Sequence, residues 1–144
     1  MNILVINGPN LNLLGIREPD IYGKKSYCDL VDYLKTLAEK YNIKLDVFQS
    51  NHEGAIIDKI QAAYFNKTDG IVINPGAYGH YSYAIRDALA AVKIKTVEVH
   101  LSDISRREIF RHKSVITDLC VATFSGEGFA GYEKAIKIIL GDEK

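Results

Sequence analysis

The sequence predicts an α/β protein in which helices cover both faces of a parallel sheet. Short apolar runs rich in β-branched residues alternate with amphipathic helical stretches along the whole chain, and this alternation is typical of βαβ units. No Gly/Ser-rich linker, charged run or internal repeat divides the 144 residues. We therefore expect a single catalytic or binding domain over residues 1–144.

Five strands and four main helices are expected. The strands lie near residues 2–7, 43–49, 70–74, 95–99 and 118–124. The helices have apolar stripes at helical spacing. These stripes are Tyr27, Leu30, Val31, Leu34, Leu37 and Tyr41; Ile56, Ile57, Ile60 and Ala63; Ala84, Ile85, Ala88, Leu89 and Val92; and Ala135, Ile136, Ile139 and Leu140. Right-handed crossovers then favour the flavodoxin-like strand order 2-1-3-4-5, with ligands expected where strands one and three end.

Composition argues against several classes of function. Lys+Arg and Asp+Glu are both 18, so no net field favours nucleic acid or an anionic membrane surface. No signal sequence or membrane-spanning run is recognisable, and we expect a soluble cytoplasmic protein. Cys28, expected on a helix, and Cys120, expected in a buried strand, suggest no disulfide framework. No metal-ligand spacing is present, so His52 and His112 are interpreted as loop and flanking residues.

The longest irregular segment, residues 8–23, follows the first strand and carries Arg17 and Tyr22. Irregular segments of roughly 15 residues within a compact domain are typically binding loops or lids. A neighbouring arginine can lower the pKa of a tyrosine, which would make Tyr22 a phenolate base. On spacing alone, the favoured alternative is a surface arginine beside a tyrosine that packs its own loop.

Two other strand ends carry polar side chains. Asn74-Pro-Gly76 is followed by His80 at a helix start, which suits the hydroxyls or carboxylate of a small ligand; turn and capping chemistry explains the pattern equally well. Glu98 and His100 alternate with valines, so both project to one side of strand four. A carboxylate that orients an imidazole makes His100 a candidate general acid, and a structurally satisfied histidine is the alternative.

Two further motifs receive structural interpretations. Residues 126–131 match GxGxxG, but only one helix follows, so we expect a tight turn that lets this helix pack closely rather than a dinucleotide site. Ser105-Arg-Arg-Glu108 predicts a capping box that opens a short helix carrying Arg111. Arg106, Arg107 and Arg111 form a basic patch that suits an anion or a neighbouring subunit.

Taken together, residues 7–23, 74–80 and 98–102 closely resemble the type II 3-dehydroquinate dehydratases, over nearly the whole chain. The resemblance implies dehydration of 3-dehydroquinate to 3-dehydroshikimate in the shikimate pathway, through an enolate and with no cofactor or metal. It implies a set of catalytic residues, namely Tyr22 as base, Arg17 as its activator and transition-state stabiliser, His100 as proton donor, and Asn10 and Glu98. It implies a set of substrate-binding residues, namely Asn74, Gly76, His80, Asp87, Leu101, Ser102 and Arg111. Asp87 would serve a neighbouring subunit's site in a homododecamer built from trimers.

The chain departs from the family pattern at two places. Asp103 replaces the usual asparagine after Ser102, and residues 105–108 replace His-Ala-Arg-Glu. We expect Asp103 to point away from the substrate and to pair with an arginine or cap the short helix. The alternative function is a flavodoxin-like module that binds a flavin or another small anion at the same switch point; the lack of a Ser/Thr-rich first loop and of tryptophan speaks against it.

Overall fold

The computed structural model describes residues 1–16, 20 and 24–141, so Arg17 and Tyr22 lie outside the described residues. Its strands form a five-stranded sheet in the order β2-β1-β3-β4-β5, and neighbouring strands are parallel. The strands are β1 (Asn2–Asn7), β2 (Lys44–Gln49), β3 (Gly70–Asn74), β4 (Lys95–His100) and β5 (Ala122–Ser125). The predicted strand order is confirmed.

Within residues 24–141, four α-helices pack on the two faces of the sheet: α1 (Tyr27–Tyr41), α2 (Glu53–Phe65), α3 (Tyr83–Val92) and α4 (Ala130–Ile139). Helix α1 begins with a capping box in which the Ser26 hydroxyl accepts from the Asp29 N–H and the Asp29 carboxylate accepts from the Ser26 N–H. The Ser82 hydroxyl caps α3 by accepting from the Ile85 N–H. These side chains satisfy backbone donors that a helix leaves unpaired, which fixes where each helix begins.

The sheet separates two hydrophobic cores. One core lies against α1 and α4 and includes Ile3 and Val5 of β1, whereas the other lies against α2 and α3 and includes Leu4 and Ile6. Successive residues of β1 therefore point into opposite cores, and residues 3–6 are all apolar because both faces of the strand are buried. This is the flavodoxin-like architecture that the sequence predicts.

The GxGxxG motif forms a turn with close helix packing, as expected. Gly126 and Gly128 have φ angles of 79° and 57°, a region that glycine enters without steric cost. A Cβ atom on Gly131 would lie 3.3 Å from Cγ1 of Val99, so this glycine lets α4 approach β4 closely.

Two predictions about the end of the fold were wrong. Strand five begins at Ala122 rather than near residue 118, and Cys120 lies half-buried after a 3₁₀ turn instead of in a strand. The Asp118 carboxylate pairs with the Arg86 guanidinium on α3, so the chain contacts this helix before β5 begins. Ala84 is exposed because it lies about 100° around α3 from the buried Ile85.

Cys28 lies on α1, as expected. Among the described residues, no helix is both long and apolar enough to cross a membrane.

Candidate active site

A pocket opens at the carboxyl ends of β1, β3 and β4. Its lining is Pro9, Asn10, Leu11, Asn74, Gly76, Ala77, His80, His100, Leu101, Ser102, Ile104, Arg107 and Arg111. Eight residues of the predicted site are in this lining: Asn10, Asn74, Gly76, His80, His100, Leu101, Ser102 and Arg111. Asp87 is exposed on α3 and does not line the pocket of its own chain. The pocket lies where ligands bind in open α/β sheets.

Glycine lets the loops after β1 and β3 approach each other. The Gly8 N–H donates to the Asn74 carbonyl over 2.8 Å, and a Cβ atom on Gly8 would lie only 2.4 Å from the Pro75 carbonyl oxygen. Gly76 has a φ angle of 59°, which favours glycine. Both positions therefore shape the backbone of the pocket wall.

The first part of the 8–23 loop is anchored to the end of β2. The Asn10 N–H donates to Asn51 Oδ1 over 2.9 Å, and the Gln49 side-chain amide donates to the Gly8 carbonyl over 3.1 Å. The Tyr78 hydroxyl donates to the Asn51 carbonyl over 2.7 Å. These bonds place Asn10 in the pocket wall before the chain enters the segment that carries Arg17 and Tyr22.

A buried polar network lies beneath the pocket. The hydroxyl of fully buried Tyr132 donates to Asn7 Oδ1 over 2.6 Å and accepts from Asn74 Nδ2 over 3.1 Å. Burial raises the pKa of Tyr132 well above its ordinary value, so the hydroxyl stays protonated. Asn74 Oδ1 accepts from the Gly76 N–H over 3.3 Å. The amide of Asn74 is thereby held in one orientation at the pocket wall.

Glu98 and His100 form a buried pair at the end of β4. Nε2 of His100 lies 2.5 Å from Oε2 of Glu98, and their side chains are 5% and 0% exposed, respectively. Burial alone would raise the pKa of Glu98. Hydrogen bonds from His100, Thr117 and Ser114, together with the charge of His100, hold this pKa below its usual value. An ionised Glu98 accepts from the Nε2–H group, so Nδ1 of His100 is the ring nitrogen left for a ligand.

His80 presents a neutral imidazole to the same pocket. Burial is the main cause that lowers the pKa of His80; a hydrogen bond to the Lys113 carbonyl opposes it, and the charges of His100 and Arg111 add to the lowering. Nδ1 lies 2.7 Å from the Lys113 carbonyl oxygen. Because a carbonyl oxygen only accepts, the proton is on Nδ1, and Nε2 is free to accept from a ligand hydroxyl.

Two arginines give the pocket wall positive charge. Arg107 and Arg111 both line the pocket, and Arg111 Nε donates to Glu108 Oε2 over 3.1 Å. The guanidinium of Arg111 also lies 4.8 Å from the centroid of the Phe110 ring. A guanidinium fixed in this way suits a carboxylate ligand.

The predicted capping box at residues 105–108 was wrong. Instead of one helix, this region forms two 3₁₀ turns, Ile104–Arg106 and Ile109–Arg111. Asp103 caps the first turn, since its Oδ1 atom accepts from the N–H and hydroxyl of Ser105 over 3.0 and 2.6 Å. Asp103 thus takes the capping position that the sequence pattern assigned to Ser105. The expectation that Asp103 caps this region is confirmed.

Five residues that support the site from below were not predicted from the sequence. These are Asn7, Asn51, Ser114, Thr117 and Tyr132. Only Asn7 gave a signal, as a polar residue that ends an apolar strand. Among the described residues, no group of three or more His, Cys, Asp or Glu side chains is placed to hold a metal ion.

Comparison with known proteins gives one consistent result. Residues 1–140 match the family described as Dehydroquinase class II. The 3-dehydroquinate dehydratase of Caldicellulosiruptor bescii is 59% identical over 90% of each chain, and that of one Clostridium perfringens strain is 56% identical over 96% of this chain and 95% of its own.

Solved structures agree with the sequence relatives. The crystal structure of the type II dehydroquinase from Butyrivibrio crossotus superposes with a TM-score of 0.96 at 60% identity and covers 97% of each chain. That of the type II dehydroquinase from Propionibacterium acnes gives a TM-score of 0.93 at 40% identity, covering 98% of this chain and 97% of its own.

Proposed function

Because the chain belongs to the class II dehydroquinases and is a 3-dehydroquinate dehydratase of the shikimate pathway, we propose that it forms 3-dehydroshikimate through an enolate, with Tyr22 as base and His100 as acid. The observation that carries this proposal is the buried Glu98–His100 pair, in which His100 lines the strand-end pocket and Glu98 lies behind it. The family resemblance supplies the partner base, since Tyr22 lies outside the described residues.

The first step removes a proton next to the ketone. The Tyr22 phenolate takes the C2 proton, and the electron pair of the C–H bond moves into the enolate. Arg17 favours the phenolate by its positive charge. Asn10, placed in the pocket wall by its bond to Asn51, belongs to the set of fixed polar groups that stabilise the enolate oxygen, directly or through an ordered water.

The second step expels the C1 hydroxyl. Protonated His100 donates its Nδ1 proton to the hydroxyl oxygen, the C1–O bond breaks and water leaves. The enolate electrons form the C1–C2 double bond as the ketone is restored, which gives a conjugated enone. Glu98 keeps the Nε2 proton in place throughout and stabilises the cationic ring before it donates.

The remaining pocket residues bind the substrate. Arg111 attracts its carboxylate, and the free Nε2 of neutral His80 accepts from a ring hydroxyl. Asn74 and Ser102 add polar contacts from the ends of β3 and β4.

The proposal extends to the assembly and location of the protein. We place residues 1–144 in one catalytic domain and twelve copies in a cytoplasmic dodecamer of trimers, as the family resemblance implies. The exposed position of Asp87 on α3, outside its own pocket, fits a contact with the site of a neighbouring subunit.

The test is to add 3-dehydroquinate and follow the ultraviolet absorbance of the conjugated enone. His100→Asn should lower kcat by roughly 100-fold or more, the scale of general acid–base catalysis. His52→Asn is the matched control, because His52 is exposed before α2 and does not line the pocket. Borohydride added with substrate should leave activity intact. A covalent adduct with loss of activity, or near-normal turnover by His100→Asn, would contradict the mechanism.

A further inference from the structure

The chain between β4 and β5 contributes two hydroxyl groups to the Glu98–His100 pair. Ser114 Oγ donates to Glu98 Oε2 over 2.7 Å, and Thr117 Oγ1 donates to Glu98 Oε1 over 2.6 Å. Thr123 on β5 lies farther from Oε1, at 3.4 Å. Together with His100, these groups supply hydrogen-bond donors to both oxygens of a carboxylate that has no contact with solvent.

This arrangement favours the ionised form of Glu98. A buried carboxylate without donors tends to take up a proton, whereas two or three hydrogen bonds to the ionised form oppose this. Burial by itself would raise the pKa of Glu98, yet the donors hold it below its usual value. Glu98 therefore remains an anion against which His100 can hold its proton.

The segment from Lys113 to Asp118 is fixed firmly enough to act in this way. Arg86 Nη1 donates to the Val115 carbonyl over 2.8 Å and Nη2 donates to Asp118 Oδ2 over 2.9 Å, while the Val115 N–H donates to the Gly79 carbonyl over 2.8 Å. The Lys113 carbonyl accepts a hydrogen bond from Nδ1–H of His80. One segment thus contacts both histidines of the pocket, directly or through Glu98.

We propose that Ser114 and Thr117 are positioning residues of the dehydration reaction, whose hydroxyls hold Glu98 as the ionised partner that orients His100 and keep His100 acidic enough to release its proton. This role rests on the proposed function of His100 as the acid. Neither hydroxyl belongs to the pocket lining, so both act through Glu98 and not on the substrate.

Other ionisable groups near the pair do not substitute for these hydroxyls. Burial, with the charges of Glu98 and Asp118, raises the pKa of the Cys120 thiol to about 12, so it stays neutral. The lowered pKa of His80 keeps that ring neutral as well. Arg107 and Arg111 line the pocket as cations, and their charge is unchanged across the pH range of the test.

The sign of the expected effect follows from charge compensation. Loss of a hydroxyl donor destabilises the carboxylate most when the neighbouring ring is neutral, because a protonated ring still compensates its charge. The pair then binds its proton more tightly. The fall of kcat at high pH should move upward, and kcat should drop by roughly 10-fold, the scale of one hydrogen bond to a charged group.

The experiment compares pH profiles of kcat for Thr117→Val, Ser114→Ala and the wild type, together with NMR titration of the His100 ring in the free enzyme. In each variant, the fall of kcat at high pH (the basic limb of the profile) and the titration of His100 should both move to higher pH by about 0.5 pH unit or more. Thr117→Ser keeps the hydroxyl and should restore both. Thr96→Val is the matched control, since the Thr96 hydroxyl donates to the Ile94 carbonyl and not to Glu98.

An unchanged titration and basic limb in both variants would overturn the proposal. So would a lower kcat with no change in either, which is the result of a merely structural role. The titration of His100 requires no turnover, so it tests the hydroxyls even if His100→Asn shows that the acid is another residue.

Discussion

Removing the Tyr132 hydroxyl should weaken the fold and the substrate site together. In Tyr132→Phe, the ring still fills its space between the sheet and α4, but its two hydrogen bonds are lost. Asn7 Oδ1 and Asn74 Nδ2 then lack their partner. Both residues are buried, since Asn7 is 0% exposed and Asn74 is 3% exposed. The substitution therefore isolates the cost of two unpaired buried amide groups.

The size of the effect follows from that cost. A buried polar group left without a partner costs about 1–3 kcal/mol, so two such groups should lower the free energy of unfolding by roughly 2–6 kcal/mol. Each kcal/mol lowers Tm by about 2–4 °C in proteins slightly larger than this chain, and the expected fall is on the order of 10 °C. The loosened amide of Asn74 should raise KM for 3-dehydroquinate by more than it lowers kcat, because the acid and base remain in place.

Thermal denaturation followed by far-ultraviolet circular dichroism measures the change. All variants are compared at one protein concentration, since association shifts Tm. Tyr64→Phe on α2 is the control: this tyrosine is 60% exposed, and surface changes of this kind stay within about 0.5 kcal/mol. If Tyr132→Phe melted within about 2 °C of the wild type, the two hydrogen bonds of the Tyr132 hydroxyl would not contribute the expected stability.

Four further outcomes are expected. Tyr22→Phe should lower kcat by roughly 100-fold or more with folding preserved; near-normal turnover would assign the base elsewhere. Asp103→Asn should change kcat/KM by less than roughly 10-fold, about 1.4 kcal/mol, because an amide oxygen can still cap the turn at Ser105. Sedimentation should give a dodecamer, and a fully active monomer would refute both this assembly and the role of Asp87. The pKa of Glu98 is lower in the folded state than in the unfolded chain. Its contribution to stability is therefore fully present above the unfolded-state pKa of about 4.3 and is lost as the pH falls through the folded-state pKa. Glu98→Gln should therefore flatten the acid limb of a plot of Tm against pH.

Local patterns were sufficient to predict the framework and the strand ends. The alternation of apolar runs and amphipathic helices gave the sheet order, because parallel strands require crossovers of one hand. The same order placed the ends of β1, β3 and β4 side by side. The structure brings Asn10, Asn74 and His100, which are far apart in sequence, into the lining of one pocket; Asn10 is assigned to the site by the family resemblance and not by the strand order.

The errors arose where a tertiary contact competes with a local pattern. Residues 119–121 are apolar enough to suggest a strand, but Asp118 directly before them pairs with Arg86 of α3, and β5 begins only at Ala122. The 105–108 motif has a correct capping-box sequence, yet Asp103 precedes it and takes the cap. In both cases, a carboxylate makes a specific contact that the local sequence pattern does not reveal.

The support beneath the site was not predictable from local sequence because its contacts are long-range. Tyr132 lies 58 positions from Asn74 and 125 from Asn7, and its place on α4 fits an ordinary core aromatic. Ser114 and Thr117 lie 16 and 19 positions from Glu98, in a segment without any motif. A motif identifies residues whose chemistry needs a fixed local spacing. A buried donor needs only to lie within hydrogen-bond distance of its acceptor in the folded chain. The groups that hold Asn74 and Glu98 in place can therefore come from any element that the fold brings to this edge of the sheet, and only the distances and burial in the folded chain reveal them.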